Sequence, residues 1–188
     1  MAMAAWGDVA RARRVLCYGV TGSGKSTAAV RLGESLGRPV HLVDEEIGWL
    51  PDWVERPTEE QRGIASRIAA DDSWILDSAY GKWLPQVIDR VEVVVALDYP
   101  RWVSLSRLLC RTLSRVITKE QMCNGNTESW RQLFSRNSII RWHFASFSRK
   151  RARIAAWVAD PDFPPVVRLR SPRDLDRLIR TLTLPPPF

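Results

Sequence analysis

The sequence predicts an α/β fold in one domain, with a parallel sheet covered by helices on both faces. Three observations lead there. Short apolar runs alternate along the chain with segments whose apolar residues recur at helical spacing. One run, Val91-Glu-Val-Val-Val-Ala-Leu97, is almost continuously apolar, as a central strand buried on both faces must be. The first strand-like run also passes into a helical segment through a glycine-rich turn.

Arg14 to Val20 reads as the first strand, with β-branched and aromatic residues ahead of the glycine-rich turn. Lys25 to Leu36 reads as a helix carrying Ala28, Ala29, Leu32 and Leu36, ended by Gly37 and Pro39. Pro39 to Val43 is a second strand that stops at Asp44, Glu45 and Glu46. Residues 49–57 read as a loop, 59–70 as a helix, 73–77 as a third strand and 83–90 as a short helix. The strand 91–97 follows, then a long helix from Arg101 to about Ile117 with Leu105, Leu108, Leu109 and Leu113 on one face. Thr118 to Thr127, with Asn124-Gly125-Asn126, reads as a polar loop. Residues 128–158 form one long helix or two, Pro161 to Pro165 a linker, and 166–169 a fifth strand. Ser171 caps a last helix with Pro172 at its first position, and the tail 185–188 is expected to be disordered. No internal repeat and no second domain is visible, so residues 1–188 read as a single domain.

Composition narrows the class. A chain of 188 residues, 45% hydrophobic and 26% charged, is long enough to bury one sizeable core. No apolar run approaches the roughly 18 residues that span a bilayer, and Met1 to Trp6 lack the pattern of a secretory signal. Three cysteines without C-x-x-C spacing suit a reduced, cytoplasmic chain. Neither His41 nor His143 has metal-ligand spacing. Residues 101–153 hold 12 of the 28 Lys and Arg but two of the 21 acids, a local charge of +10. Such a segment suits a polyanion, either a triphosphate or a nucleic acid, or it is a solvated basic face. Within it Arg149-Lys150-Arg151-Ala-Arg153 is the most nucleic-acid-like cluster, with a solvated helix end as its plainer reading.

Gly19-Val-Thr-Gly-Ser-Gly-Lys25-Ser26 fits G-x-x-x-x-G-K-[ST] at every fixed position, between a strand and a helix. The chemistry requires that spacing. Gly22 and Gly24 let the backbone adopt turns that a Cβ would block, so the amides around Ser23 and the helix N-terminus point at phosphates. Lys25 adds a point charge toward the outer phosphates, the Ser26 hydroxyl is placed to ligate Mg²⁺, and Thr27 follows it. The loop therefore predicts a nucleoside triphosphate as ligand. No N-K-x-D guanine-reading motif and no LSGGQ-like signature is present, which excludes GTP switch proteins and ABC ATPases.

In open α/β sheets ligands bind beyond the carboxyl ends of the strands. Asp44, Asp77 and Asp98 each follow a predicted strand. Asp77, closing Trp74-Ile-Leu-Asp77, is the candidate second metal carboxylate. Asp44 is the candidate to orient or deprotonate an acceptor hydroxyl. Asp98 precedes Tyr99-Pro100, where it would cap the next helix.

Six ordered stretches carry a resemblance. They are Tyr18-Gly-Val-Thr-Gly-Ser-Gly-Lys-Ser-Thr27, Val40-His-Leu-Val-Asp44, Trp49-Leu-Pro-Asp-Trp53, Asp72-Ser-Trp-Ile-Leu-Asp77, Ala96-Leu-Asp-Tyr-Pro-Arg-Trp102 and Arg168-Leu-Arg-Ser-Pro172. Together they resemble the adenylate-kinase-like branch of small P-loop kinases, most nearly the bacterial DNA topology modulation proteins, over roughly residues 13–180. The resemblance implies a P-loop NTPase domain with a five-stranded parallel sheet, an ATP and Mg²⁺ site, and a short helical lid at about 111–135. It implies lid arginines that neutralise the transferring phosphoryl group, for which Arg111 and Arg115 stand one helical turn apart and Arg107 extends the row. It also places a base-contacting loop at Arg168, Ser171 and Pro172.

One stretch departs from that family. Adenylate kinases have Asp-Gly-Phe-Pro-Arg after the third strand; here it is Asp77-Ser-Ala-Tyr-Gly-Lys82, with Lys82 in place of the arginine, and the Thr-Gly-Asp-Met-Leu-Arg helix start is absent. A nucleoside monophosphate is a poor fit as acceptor. Trp49, Trp53 and Tyr80 fall on the acceptor side, where they stack on a planar substrate or pin a loop to the core. The expected activity is ATP- and Mg²⁺-dependent phosphoryl transfer to a small acceptor. The alternative is a nucleotide-dependent regulatory or nucleic-acid-binding protein without kinase activity.

Overall fold

Alternation of side chains along the strands sorts the core into two layers, one on each face of a single sheet. The computed structural model describes residues 6–133 and 138–183. Its elements are α1 (Trp6–Arg11), β1 (Arg14–Gly19), α2 (Lys25–Leu36), β2 (Val40–His41), α3 (Thr58–Ala70), β3 (Trp74–Leu76), α4 (Leu84–Ile88) and β4 (Val93–Leu97). Then come α5 (Arg101–Thr118), β5 (Gln121–Met122), β6 (Asn126–Thr127), α6 (Trp130–Leu133), α7 (Ile139–Ala159), β7 (Val166–Leu169) and α8 (Pro172–Thr183). Five strands form a parallel sheet in the order β2-β3-β1-β4-β7. The molecule is an α/β domain with a five-stranded parallel sheet and helices on both faces, as the alternation of runs predicts.

On one face Val15 and Cys17 of β1, Val93 and Val95 of β4, and Val167 of β7 pack with Leu32 of α2 and Leu175 and Leu178 of α8. On the other, Leu16 and Tyr18, Val94 and Ala96, and Trp74 and Leu76 pack with Ala65 and Ile68 of α3, Val87 of α4 and Ile154 of α7. All five residues of β4 are buried, which accounts for its continuous apolar sequence.

Three local readings are corrected. The second strand keeps only Val40–His41, because the acids after it fold back: Glu46 accepts from the Leu42 N–H at 2.9 Å and contacts His41 Nδ1 at 2.8 Å. Residues Asp44–Gly48 then form a π-helical turn. The segment 118–127 is not an open loop, since β5 and β6 pair as a small antiparallel hairpin. At its tip Cys123, Asn124 and Gly125 all have positive φ. For residues 128–158, read as one helix or two, the described residues hold two, α6 and α7.

Asp98 does not cap α5, which begins after Pro100 with no side-chain cap. Its buried carboxylate accepts from Arg151 Nε at 2.8 Å and from Arg168 Nε at 2.7 Å. It thereby ties α7 and β7 to the end of β4. At α8, Asp174 accepts from the N–H groups of Arg170 (2.9 Å) and Ser171 (2.8 Å), the reciprocal half of a capping box. The predicted tail 185–188 and the end of the predicted lid, residues 134–135, lie outside the described residues.

Asp98→Ala leaves Arg168 half-buried beside an apolar strand, and both guanidiniums without their anion. It should lower unfolding free energy by about 2–3 kcal/mol, read by urea denaturation, less than a fully buried pair because Arg151 keeps solvent contact.

Candidate active site at the carboxyl ends of the strands

The turn between β1 and α2 is a wrapped loop held by its own atoms. Ser23 donates from Oγ (2.8 Å) and from its amide (3.2 Å) to the Val20 carbonyl, and Lys25 Nζ donates to the same oxygen at 3.1 Å. Gly22 has φ +81°, and a Cβ there would stand 2.3 Å from the backbone oxygen of Ser104. Only glycine permits that turn so close to α5. Gly24 precedes Lys25 at the N-terminus of α2, and Thr27 is exposed on its first turn.

Asp77 leaves the end of β3 and sits beneath this loop. Its Oδ2 accepts from Ser26 Oγ at 2.6 Å and its Oδ1 from the Val43 N–H at 2.9 Å. Burial raises its pKa; the bonds from Ser26 and Val43 oppose that, nearby Asp44 adds to it, and Lys25 acts against it. Burial lowers the pKa of Lys25, with Asp77 and Asp44 pulling the other way. Ser26 and Asp77 thus place two oxygens side by side beneath the loop, the kind of donor a hard cation takes. Among the described residues no group of three or more His, Cys, Asp and Glu is placed to hold a metal, so the protein offers no complete cage. Magnesium suits such a partial site, because it commonly takes one or two carboxylates together with substrate phosphates.

Cations approach from the other side. Arg107 of α5 donates to the Ser23 carbonyl at 3.3 Å. Arg111 feels both Arg115 and Asp44, and its pKa is lowered, first by desolvation and then by Arg115. Arg115 lies 3.7 Å from Glu120 and 4.0 Å from Glu128. Lys150 of α7 was not anticipated from the sequence. Its ammonium donates to the Gly19 carbonyl at 3.1 Å, lies 5.7 Å from the centre of the Tyr18 ring, and has its pKa brought down to about 7 by burial and then by Lys25. Arg153 reaches the Tyr18 hydroxyl at 3.5 Å. The basic cluster 149–153 is therefore not simply a solvated helix end: Lys150, Arg151 and Arg153 all have partners within the fold.

The acceptor-side residues divide. Tyr80 donates its hydroxyl to Asp44, which places that pair next to Asp77 and Lys25. Burial and then the Asp44 charge push the Tyr80 hydroxyl far up. Gly48 makes room for it, since a Cβ there would lie 2.6 Å from the Tyr80 oxygen. Lys82 instead pairs with Glu55. Trp53 donates its indole N–H to the Thr127 carbonyl at 3.0 Å and meets Trp49 edge-on at 5.7 Å, so this pair pins a loop rather than presenting an open stacking face. Arg168, expected in a base-contacting loop, is bound to Asp98; Ser171 and Pro172 stand at the start of α8. Beyond the Asp44–Gly48 turn an open groove of about 690 Å³ is lined by Glu45, Glu46, Arg56, Ile64, Arg67 and Asn124 among others, and by none of the phosphate-loop residues.

No protein-family model matches the chain, and no curated protein matches it in sequence. Solved structures do match. The fold is similar to a shikimate kinase from Acinetobacter baumannii in complex with shikimate, at a TM-score of 0.56 and 15% identity over 95% of each chain. It is similar to a gluconokinase from Sinorhizobium meliloti 1021 (TM-score 0.51, 15% identity, 90% of this chain and 89% of that one). A deoxyadenosine kinase from M. mycoides gives 0.51 at 14% identity, over 90% and 96% of the two chains. The chain has a kinase-like P-loop fold. Among the described residues no helix is long and apolar enough to cross a membrane.

Two variants separate contact from fit around Asp44. Tyr80→Phe removes the hydrogen bond alone and should cost about 1 kcal/mol in chemical denaturation. Gly48→Ala drives a methyl group at the hydroxyl and should cost more than Tyr80→Phe, while the double variant should be less destabilised than the sum of the two.

Proposed function

We propose that the protein is an ATP- and Mg²⁺-dependent kinase for a small acceptor. The observation that carries this reading is the joining of Ser26 to Asp77 beneath the loop, at 2.6 Å, with Lys25 beside them and Lys150 facing the same loop from α7. Lys25 and Lys150 both donate to backbone carbonyls, and among the described residues neither has a carboxylate within salt-bridge distance. Two desolvated cations without a paired anion suit a bound polyphosphate. Ser26 and Asp77 would hold the magnesium ion, which offsets negative charge on the phosphates when bound. The amides of Gly22, Ser23 and Gly24 with Lys25, Ser26 and Thr27 would hold the phosphates, and Ser171 and Pro172 would border the base. Arg111 and Arg115 would stabilise the transferring phosphoryl group. Asp44, oriented by Tyr80, would accept the proton of the acceptor hydroxyl. Phosphoryl transfer asks mainly for positioning and charge, and these residues supply both.

The solved neighbours support this reading, since they include a gluconokinase, a shikimate kinase and a deoxyadenosine kinase. The ordered motifs that resemble those of the DNA topology modulation proteins agree with it. The engagement of Lys150, Arg151 and Arg153 within the fold supports kinase over the nucleic-acid reading. Trp49 and Lys82 would border the acceptor without gripping an anion, because Lys82 is paired with Glu55.

Screening nucleosides, sugars and other small hydroxyl compounds with γ-labelled ATP tests the proposal. Transfer to at least one acceptor, lowered about 10²–10⁴-fold by Lys25→Ala, is expected. Acceptor-independent hydrolysis with no transfer to any compound would sink it. Lys150 adds a pH signature. Its pKa lies near 7 in the free protein, and bound phosphates favour its charged form and raise it. Above pH 7 binding must therefore take up a proton, so MgATP affinity should fall as pH rises from about 6.5 to 8.5. Calorimetric titration should show that slope in the wild type and a flatter one in Lys150→Arg.

A further inference from the structure

The hairpin β5–β6 holds a run of hydrogen bonds that neither the loop nor the cations explain. Asn124 Nδ2 donates to the carbonyls of Glu45 (2.8 Å) and Trp49 (2.6 Å). Asn126 Nδ2 donates to the Leu50 carbonyl at 2.9 Å and to Cys123 at 2.6 Å, while its Oδ1 accepts from the Trp53 N–H at 2.7 Å. Trp53 Nε1 closes the set on Thr127. Two asparagines thus read the backbone of residues 45–53 from about 75 positions away in sequence. That stretch carries Gly48, over which Tyr80 reaches Asp44.

The backbone on both sides is held in unusual conformations. Cys123 (φ 43°) and Asn124 (φ 65°) face a partner segment in which Asp52 (φ 62°) and Trp53 (φ 54°) are also left-handed. Four non-glycine residues at positive φ cost free energy that the surrounding contacts must offset. The asparagine bonds and the Trp53 indole bond to Thr127 are contacts that cross the junction. Strain on both sides of one junction is the mark of a joint whose closure depends on its hydrogen bonds.

The same hairpin continues from α5. Arg107 of that helix donates to the phosphate loop, and Arg115 lies between Glu120, just before β5, and Glu128, just after β6. A continuous set of contacts therefore runs from the Ser23 carbonyl through α5 to the base of the hairpin, and from its tip to the 45–53 backbone.

We propose that Asn124 and Asn126 are positioning residues that clasp the acceptor-side loop 45–56, and that the clasp carries phosphate occupancy at the loop to the acceptor side. The idea rests on the donor-site reading above. Phosphates that order Arg107, Arg111 and Arg115 steady α5, and the hairpin then steadies the loop holding Trp49 and Gly48. Ligand at one site lowers the conformational freedom left to be lost at the other, which is a positive coupling.

Hydrogen exchange read by mass spectrometry over the peptide 45–57 tests the clasp, with MgATP as the probe. Asn124→Asp keeps the size and tolerates the left-handed backbone, but turns an oxygen toward two carbonyls. Asn124→Gly keeps the backbone and deletes the amide. In the wild type MgATP should slow exchange in 45–57. In both variants basal exchange there should rise about tenfold and the slowing by MgATP should vanish, while exchange in β1 and β4 and the MgATP affinity stay within about twofold. Variants that exchange like the wild type, or that still respond to MgATP, overturn the clasp. So does faster exchange spread evenly over β1 and β4, which marks general destabilisation. A wild-type chain that fails to bind MgATP in titration overturns the donor reading and the coupling with it. One that binds MgATP while 45–57 does not respond overturns the coupling alone.

Discussion

A buried carboxylate must find partners or lose its charge, and Asp77 finds them in two other segments. Ser26 and the Lys25 charge come from the start of α2, and the Val43 amide from the turn after β2. Those contacts fix where three strand ends lie relative to one another. The site's geometry follows from satisfying one acid in a protein interior.

Charge is divided across this point. The segment 101–153 contributes its cations from α5 and α7, above the loop. The acids Asp44, Glu45 and Glu46 stand on the opposite side, at the end of the second strand. Asp98 keeps part of the basic segment in place, drawing Arg151 and Arg168 together so that α7 lies with Lys150 at the loop. Hence a carboxylate that touches no residue of the phosphate loop helps set the register of the helix that does.

Much of the fold was legible from local chemistry. The strand, glycine-rich loop and helix at 14–36 carry a complete pattern, and the unbroken apolar run of β4 marks burial on both faces. The Ser26–Asp77 pair was legible because strand-end position and oxygen chemistry agree. Lys150 was not, since burial of a lysine arises from tertiary packing and the segment 128–158 left its helical register open. The hairpin was missed for a related reason: its strands are two residues long, and its stability comes from asparagines bonded to a remote backbone. Arg168 and Asp98 are opposite charges at the ends of two predicted strands, and they pair in the fold. Nothing in the sequence said those strands were neighbours.

The strand order has a consequence for how the chain becomes this molecule. No strand of the main sheet pairs with both of its neighbours in sequence; β1 lies between β3 and β4, and β4 is joined to β7 across α5, the hairpin and α7. Every pairing of β1 therefore closes a loop of about 60 residues or more before any contact rewards it. The phosphate loop takes its shape from Ser104 and Leu97 as well as from its own residues, so it cannot be set until β4 and α5 have arrived. The loop's native shape should then appear late in refolding, with the sheet rather than ahead of it, although the motif itself lies near the amino terminus.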